Sequence, residues 1–206
     1  MSAATARLFV ALELPAGVRA ALAAWGEERA AADSALRALP AGSLHLTLCF
    51  LGSRPVEAIA PIGAALAGCA GPAPRLAPGA AEWLPARRPR VLAAAMSDRD
   101  GALAALHGRV VEALAAGGRQ RPERRPLRPH VTVARVRRGE RPRRTRAEDP
   151  PPPAGAFACE WLALYRSHIG AGPARYEALA RVALAAGRQD GPRPPASLSS
   201  PRRVVP

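Results

Sequence analysis

His45 and His130 each open the same short pattern, His45-Leu46-Thr47-Leu48 and His130-Val131-Thr132-Val133. The two are 85 positions apart (130 − 45), and only four histidines occur in the chain. Each pattern sits in a short apolar run bounded by turn residues, as a strand does. Side chains alternate faces along a strand. His45 and Thr47 are therefore expected to share one face, with Leu46, Leu48 and Phe50 on the other. His130 and Thr132 share a face in the same way, opposite Val131 and Val133. Each strand can anchor itself in a core and still present an imidazole and a hydroxyl to a cleft. Two imidazoles aimed at one point suit in-line displacement at phosphorus: one takes a proton from water while the other gives one to the leaving oxygen. The threonine hydroxyls can donate hydrogen bonds to the non-bridging oxygens. The scheme requires no metal.

The remaining elements must bring these strands together. Residues 7–14 read as a strand, and Pro15 opens a helix to about Asp33, with Val18, Leu22, Trp25 and Arg29 at helical spacing. Pro40 and Gly42 turn the chain into the first motif strand, which Gly52 is expected to end. A second helix follows from Pro55 to about Gly68, kinked at Pro61 or starting there. Strands are expected at 74–84 and 90–96. Ser97-Asp98-Arg99-Asp100 fits a capping box before a helix that stops at Gly117-Gly118. Leu103, Leu106, Val110 and Leu114 form its buried stripe, with His107 beside it. Residues 156–166 and 174–184 read as a closing antiparallel pair, with His168 in the connection. Each half thus supplies one motif strand. The order of elements supports an α+β, two-lobed, pseudo-symmetric fold with antiparallel sheets facing a central cleft and helices outside.

The formal charge is +14, and all 30 basic residues are arginine, a uniformity that suggests a GC-rich coding bias. Such a charge favours polyanionic partners, RNA among them, and makes association salt-dependent. Arg137, Arg138, Arg141, Arg143, Arg144 and Arg146 crowd a Pro-rich segment at 136–155, readable as a collar for RNA phosphates or as a solvated loop. Cys49, Cys69 and Cys159 lack metal-site spacing. With no signal-peptide pattern and no apolar run of roughly 18 residues, a cytoplasmic setting away from membranes is expected. Residues 187–206, rich in Pro, Arg and Ser, read as a disordered tail behind a 1–186 domain.

The paired motifs resemble those of the 2H phosphoesterase superfamily. Arg7-Leu8-Phe9-Val10-Ala11-Leu12-Glu13-Leu14-Pro15 resembles the opening strand of one branch, the RNA 2',3'-cyclic phosphodiesterases, also called LigT-like or 2'-5' RNA ligase proteins. Pro89-Arg90-Val91-Leu92 is similar to that family's central strand, although Ala93 stands where a tryptophan often follows. Leu164-Tyr165-Arg166-Ser167 and the stretch from Gly172 to Arg181 are similar to its closing hairpin. The likeness runs from about Arg7 to Leu184.

This resemblance implies hydrolysis of a terminal 2',3'-cyclic phosphate on RNA to a 2'-phosphate, with 2'-5' ligation as the reverse reaction and no cofactor. It implies His45 as proton donor and His130 as proton acceptor, Thr47 and Thr132 as holders of phosphate oxygens, and Arg135 as a neutralising charge. The expected partner is RNA or a nucleotide ending in a 2',3'-cyclic phosphate, and a monomer is expected. Arg135 lies five positions after His130, so an ideal strand aims it at the wrong face; the strand must end, bend or bulge first. Three other readings compete. Cys49 shares the ideal-strand face of His45 and could serve a Cys–His pair, but four residues of strand span roughly 13 Å. Metal-assisted hydrolysis lacks a carboxylate near either motif. A binding module of the same fold without turnover is the third.

Overall fold

The computed structural model describes residues 4–117, 126–143, 152–168 and 175–185. The expected tail at 187–206, Arg144 and Arg146, and the Gly172-Pro173 piece of the closing hairpin lie outside these residues.

The elements are β1 (Thr5–Glu13), α1 (Ala16–Ala32), β2 (Leu36–Ala38), β3 (His45–Pro55), α2 (Ile59–Ala67), β4 (Arg75–Leu84), β5 (Val91–Asp98), α3 (Ala102–Ala116), β6 (His130–Val136), β7 (Phe157–Ala158), β8 (Trp161–His168) and β9 (Arg175–Ala183). The strands form one curled sheet in the order β7-β4-β5-β6-β3-β1-β8-β9, with β2 beside β6 off that path. The two expected lobes are its halves, β7-β4-β5-β6 and β3-β1-β8-β9. They meet where β3 pairs with β6, antiparallel, through Leu46 and Val131. These are the residues that follow the two motif histidines, so the seam between the halves runs through the motifs.

Apolar side chains build this arrangement from both sides. Leu46, Val131 and Val133 are fully buried, and so are Leu103, Leu106, Val110 and Leu114 along α3. Leu22 and Trp25 face inward from α1, and Ile62 and Leu66 from α2. Helix α1 lies against β2 and β6, α2 against β8 and β9, and α3 against β5 and α2. The apolar face of each strand is thereby taken from water, which is the main drive for the fold.

Several boundaries differ from the expectations. β3 does not end at Gly52; it continues to Pro55, and Gly52 sits inside it with φ 71°, a left-handed conformation that glycine adopts without steric cost. Ser97 is no helix cap: it belongs to β5, and its hydroxyl donates to the Ala77 carbonyl. Asp98 does the capping, its carboxylate accepting from the Leu103 and Ala104 amides at 3.1 and 2.9 Å. Pro61 falls in the first turn of α2, where its missing N–H costs nothing. The strand expected at 156–166 is two strands: β7 pairs with β4 at one end of the sheet, and β8 with β1 in the other half. His168 is in β8 rather than a connection, and its Nε2 lies 2.8 Å from Glu177 Oε2.

Candidate active site

The seam pairing of Leu46 with Val131 leaves His45, Thr47, His130 and Thr132 on the other face of the two strands. All four line one cleft of about 400 Å³, shared with Arg7, Arg37, Arg135, Phe9, Phe50 and Tyr176. No aspartate or glutamate is among the described lining residues, while three arginines are. The cleft is therefore built for an anion.

The two histidines are held alike. His45 Nδ1 lies 2.9 Å from the Ser43 carbonyl oxygen, and His130 Nδ1 lies 2.8 Å from the Arg128 carbonyl oxygen. A carbonyl can only accept, so each Nδ1 carries the hydrogen. Each Nε2 is left as the atom free to accept or deliver a proton. Main-chain geometry two residues upstream thus fixes the tautomer of both rings.

The strands do not keep ideal alternation beyond the threonines, and the departure is the same in each. On β6, Leu92 pairs with Ala134 but Ala93 with Thr132, so Val133 is an extra, bulged residue. On β3, Val10 pairs with Cys49 but Ala11 with Thr47, so Leu48 is extra. Both runs consequently read half-buried, buried, half-buried, buried, buried, exposed from the histidine onward. A bulge resets which face the following residues take. On β6 this swings Arg135 into the cleft and resolves the conflict of its odd offset. The bulge is held from outside: the Val133 carbonyl accepts from the Leu39 amide at 2.8 Å, and Gly26 of α1 leaves room for it. A Cβ on Gly26 would meet the Val133 oxygen at 2.9 Å and its Cβ at 3.1 Å.

On β3 the same bulge corrects two expectations. Cys49 does not share the face of His45; it is turned into the core, 5% exposed, which removes the cysteine–histidine alternative. Phe50 does not point into the core; it is 70% exposed and lines the cleft. Phe50 was legible in the sequence only through its equivalence to Arg135, since each is five residues after its histidine.

The two rings differ in their surroundings. The Phe9 ring centroid lies 4.8 Å from that of His45, and Tyr176 meets His45 edge-on at 5.0 Å. Tyr165 stacks on Phe9 at 5.2 Å, and its hydroxyl donates to Glu13, which also accepts from Arg181 Nε at 2.7 Å. Burial in this aromatic corner pushes the His45 imidazolium down from the usual 6.5 to about 4; the Ser43 carbonyl opposes the shift, and repulsion from Arg135 and His130 adds to it. His45 is therefore neutral near pH 7. Burial and the bond to Glu13 hold the Tyr165 phenol up, so it stays protonated. Phe9, Tyr176, Arg7 and Arg37 went unnoticed as site residues in the sequence, because none belongs to a repeated pattern.

The chain belongs to the 2'-5' RNA ligase superfamily, whose family model matches residues 15–170. That superfamily is one of phosphoesterases, the 2H class that the paired motifs resemble. A crystal structure of E. coli LigT complexed with 3'-AMP superposes with a TM-score of 0.70 at 29% identity, covering 88% of this chain and 99% of that one. The protein TT0787 of Thermus thermophilus does so with a TM-score of 0.72 at 27% identity, over 86% of this chain and 97% of the other. A crystal structure described as a phosphoesterase is 30% identical, with a TM-score of 0.70 and coverage of 88% and 99%. No curated protein matches the chain. No helix among the described residues is long and apolar enough to cross a membrane.

Proposed function

We propose that this protein is an RNA 2',3'-cyclic phosphodiesterase that opens a terminal 2',3'-cyclic phosphate to a 2'-phosphate by two-histidine acid–base catalysis. One observation carries the reading: both motif imidazoles line one arginine-rich cleft with Nδ1 tied to a main-chain carbonyl and Nε2 left for chemistry.

Water attacks phosphorus on the side of His130 and gives its proton to His130 Nε2. The bond from phosphorus to the 3'-oxygen breaks on the far side, and that oxygen takes the proton from His45 Nε2. Thr47 and Thr132 donate to the non-bridging oxygens, and Arg135 balances the charge that builds on them. His45 must be an imidazolium to play its part. The phosphate supplies the means: its negative charge offsets the repulsion from Arg135 and His130, so substrate and proton bind together. Phe50, standing exposed at the cleft, offers an apolar ring to the terminal base. The scheme uses no metal.

The test is a short RNA ending in a 2',3'-cyclic phosphate, incubated with EDTA and analysed for product. Conversion to the 2'-phosphate is expected. No conversion, with EDTA or with added divalent metals, removes the reading in favour of a nucleotide-binding module.

A further inference from the structure

Beyond the cleft, at the end of β6, the chain builds a second concave surface. The β4–β5 turn contributes Arg87, Arg88 and Arg90, and the segment after β6 contributes Arg137, Arg138 and Arg141. Together they line a groove of about 1270 Å³ in which Glu140 is the one carboxylate among the described lining residues. All six arginines are exposed.

Hydrogen bonds hold the walls in place. The Arg90 amide donates to the Leu84 carbonyl at 2.8 Å and closes the β4–β5 turn. The Val136 amide donates to the Arg90 carbonyl at 2.9 Å and ties one wall to the other. Arg137 is fastened to β2's approach, its amide donating to Ala35 at 2.8 Å and its Nε to the Ser34 carbonyl at 3.1 Å. The Arg143 amide donates to Asp33 Oδ2 at 2.7 Å, and Gly139, with φ 86°, makes the turn between. The main chain of both walls is thus held in place by the fold.

Its position relative to the cleft gives it meaning. Arg135 lines the cleft and pairs across the sheet with Val91 on one side and Arg37 on the other. Arg90 precedes Val91, and Arg137 is two residues past Arg135. At roughly 3.3 Å per residue the groove begins within about 10 Å of Arg135. Two positive surfaces this close along one strand fit a chain of phosphodiesters better than a lone nucleotide.

We propose that the Arg87–Arg90 and Arg137–Arg141 groove binds the single-stranded RNA chain leading to the terminal phosphate, so that the preferred substrate is an oligonucleotide. This rests on the function proposed above. Since no aromatic side chain is among the described lining residues, binding is to the backbone and carries little sequence preference.

The experiment compares two double variants of equal charge. Arg88→Gln with Arg138→Gln removes one arginine from each wall. Arg75→Gln with Arg99→Gln removes two exposed arginines at the opposite end of the β4–β5 hairpin, where Leu76 pairs with Asp98. Fluorescence anisotropy of a labelled ten-residue RNA with a 3'-phosphate is followed against salt. The groove variant is expected to bind about tenfold more weakly at 0.1 M salt, with a log–log salt slope smaller by about 1.4. The hairpin-end variant should bind as the unaltered protein does. In turnover, the ratio of kcat/KM for a cyclic-phosphate decamer to that for a 2',3'-cyclic mononucleotide should fall by a similar factor in the groove variant. Equal losses in both variants, or an unchanged slope in the groove variant, overturns the proposal. If the unaltered protein hydrolyses neither substrate, the phosphodiesterase reading falls, while the anisotropy still decides the groove.

Discussion

Phe50 and Arg135 occupy equivalent places in the two halves of the sheet, each two residues past a bulge and five past its histidine, and both line the cleft. One position presents an apolar ring and the other a positive charge. A pseudo-two-fold scaffold is thus made asymmetric within the cleft, and on the function proposed above that difference matches the base and phosphate of a nucleotide.

The two side chains should fail differently when removed. On the proposed mechanism Arg135→Ala deletes charge that matters most as the transition state forms, so kcat/KM should drop about a hundredfold, a loss of roughly 2–3 kcal/mol. Arg135→Lys should recover part of it. Phe50→Ala should instead raise KM for a nucleotide about tenfold with a small change in kcat. Steady-state kinetics on a 2',3'-cyclic mononucleotide distinguishes these patterns.

Replacing either motif histidine should separate binding from chemistry. His45→Ala and His130→Ala are each expected to lower kcat by roughly 10²–10⁴ while RNA affinity stays near that of the unaltered protein. Binding and turnover falling in parallel would remove the acid–base assignment.

His45 should gain a proton when an anion enters. Its midpoint is about 4, held down first by burial and then by Arg135 and His130. Sulfate, a tetrahedral anion with no titration of its own near neutrality, should move the His45 midpoint upward in an NMR titration. Tyr176→Ala, which opens the aromatic corner to water, should move it upward without sulfate. A His45 midpoint that ignores sulfate would transfer the donor role to His130.

The same shift makes stability depend on pH. The unfolded chain protonates this histidine near ~6.5, whereas the folded chain resists until about 4. Its neutral ring therefore costs nothing above 6.5, and stability is lost as pH falls from 6.5 towards 4, by at most about 3 kcal/mol. Urea midpoints at pH 7.5 and 5.0 should differ less in His45→Gln than in the unaltered protein.

Gly26 should matter to Arg135 although it touches no substrate. A methyl group there meets Val133 at the bulge. Gly26→Ala is expected to destabilise the fold by about 1–3 kcal/mol and to lower kcat/KM in the still-folded protein. In an Arg135→Ala background the kinetic part of the loss should shrink, which a double-mutant cycle reads directly.

The motifs were legible because strand alternation is local: His45, Thr47, His130 and Thr132 stand on one face as a period of two requires. The helix stripes were legible for the same reason, with Leu103, Leu106, Val110 and Leu114 all buried. Phe50 and Cys49 were misread because a bulge is set by the neighbouring strand's register, which no single stretch of sequence displays. The split of 156–166 into β7 and β8 was missed likewise, since both pieces are apolar and only their partners differ. Arg7, Arg37, Phe9 and Tyr176 reach the cleft through tertiary placement alone.

Which ring nitrogen each histidine leaves unbonded is set by a main-chain carbonyl, that of Ser43 or of Arg128. In sites where a carboxylate side chain orients the imidazole, one substitution can turn the ring to the wrong tautomer. Here the orienting group is common to every amino acid and survives exchange of the residue that bears it. Side chains around the two rings can therefore change while both Nε2 atoms stay where they are, which makes this scaffold tolerant of evolutionary change at its own centre.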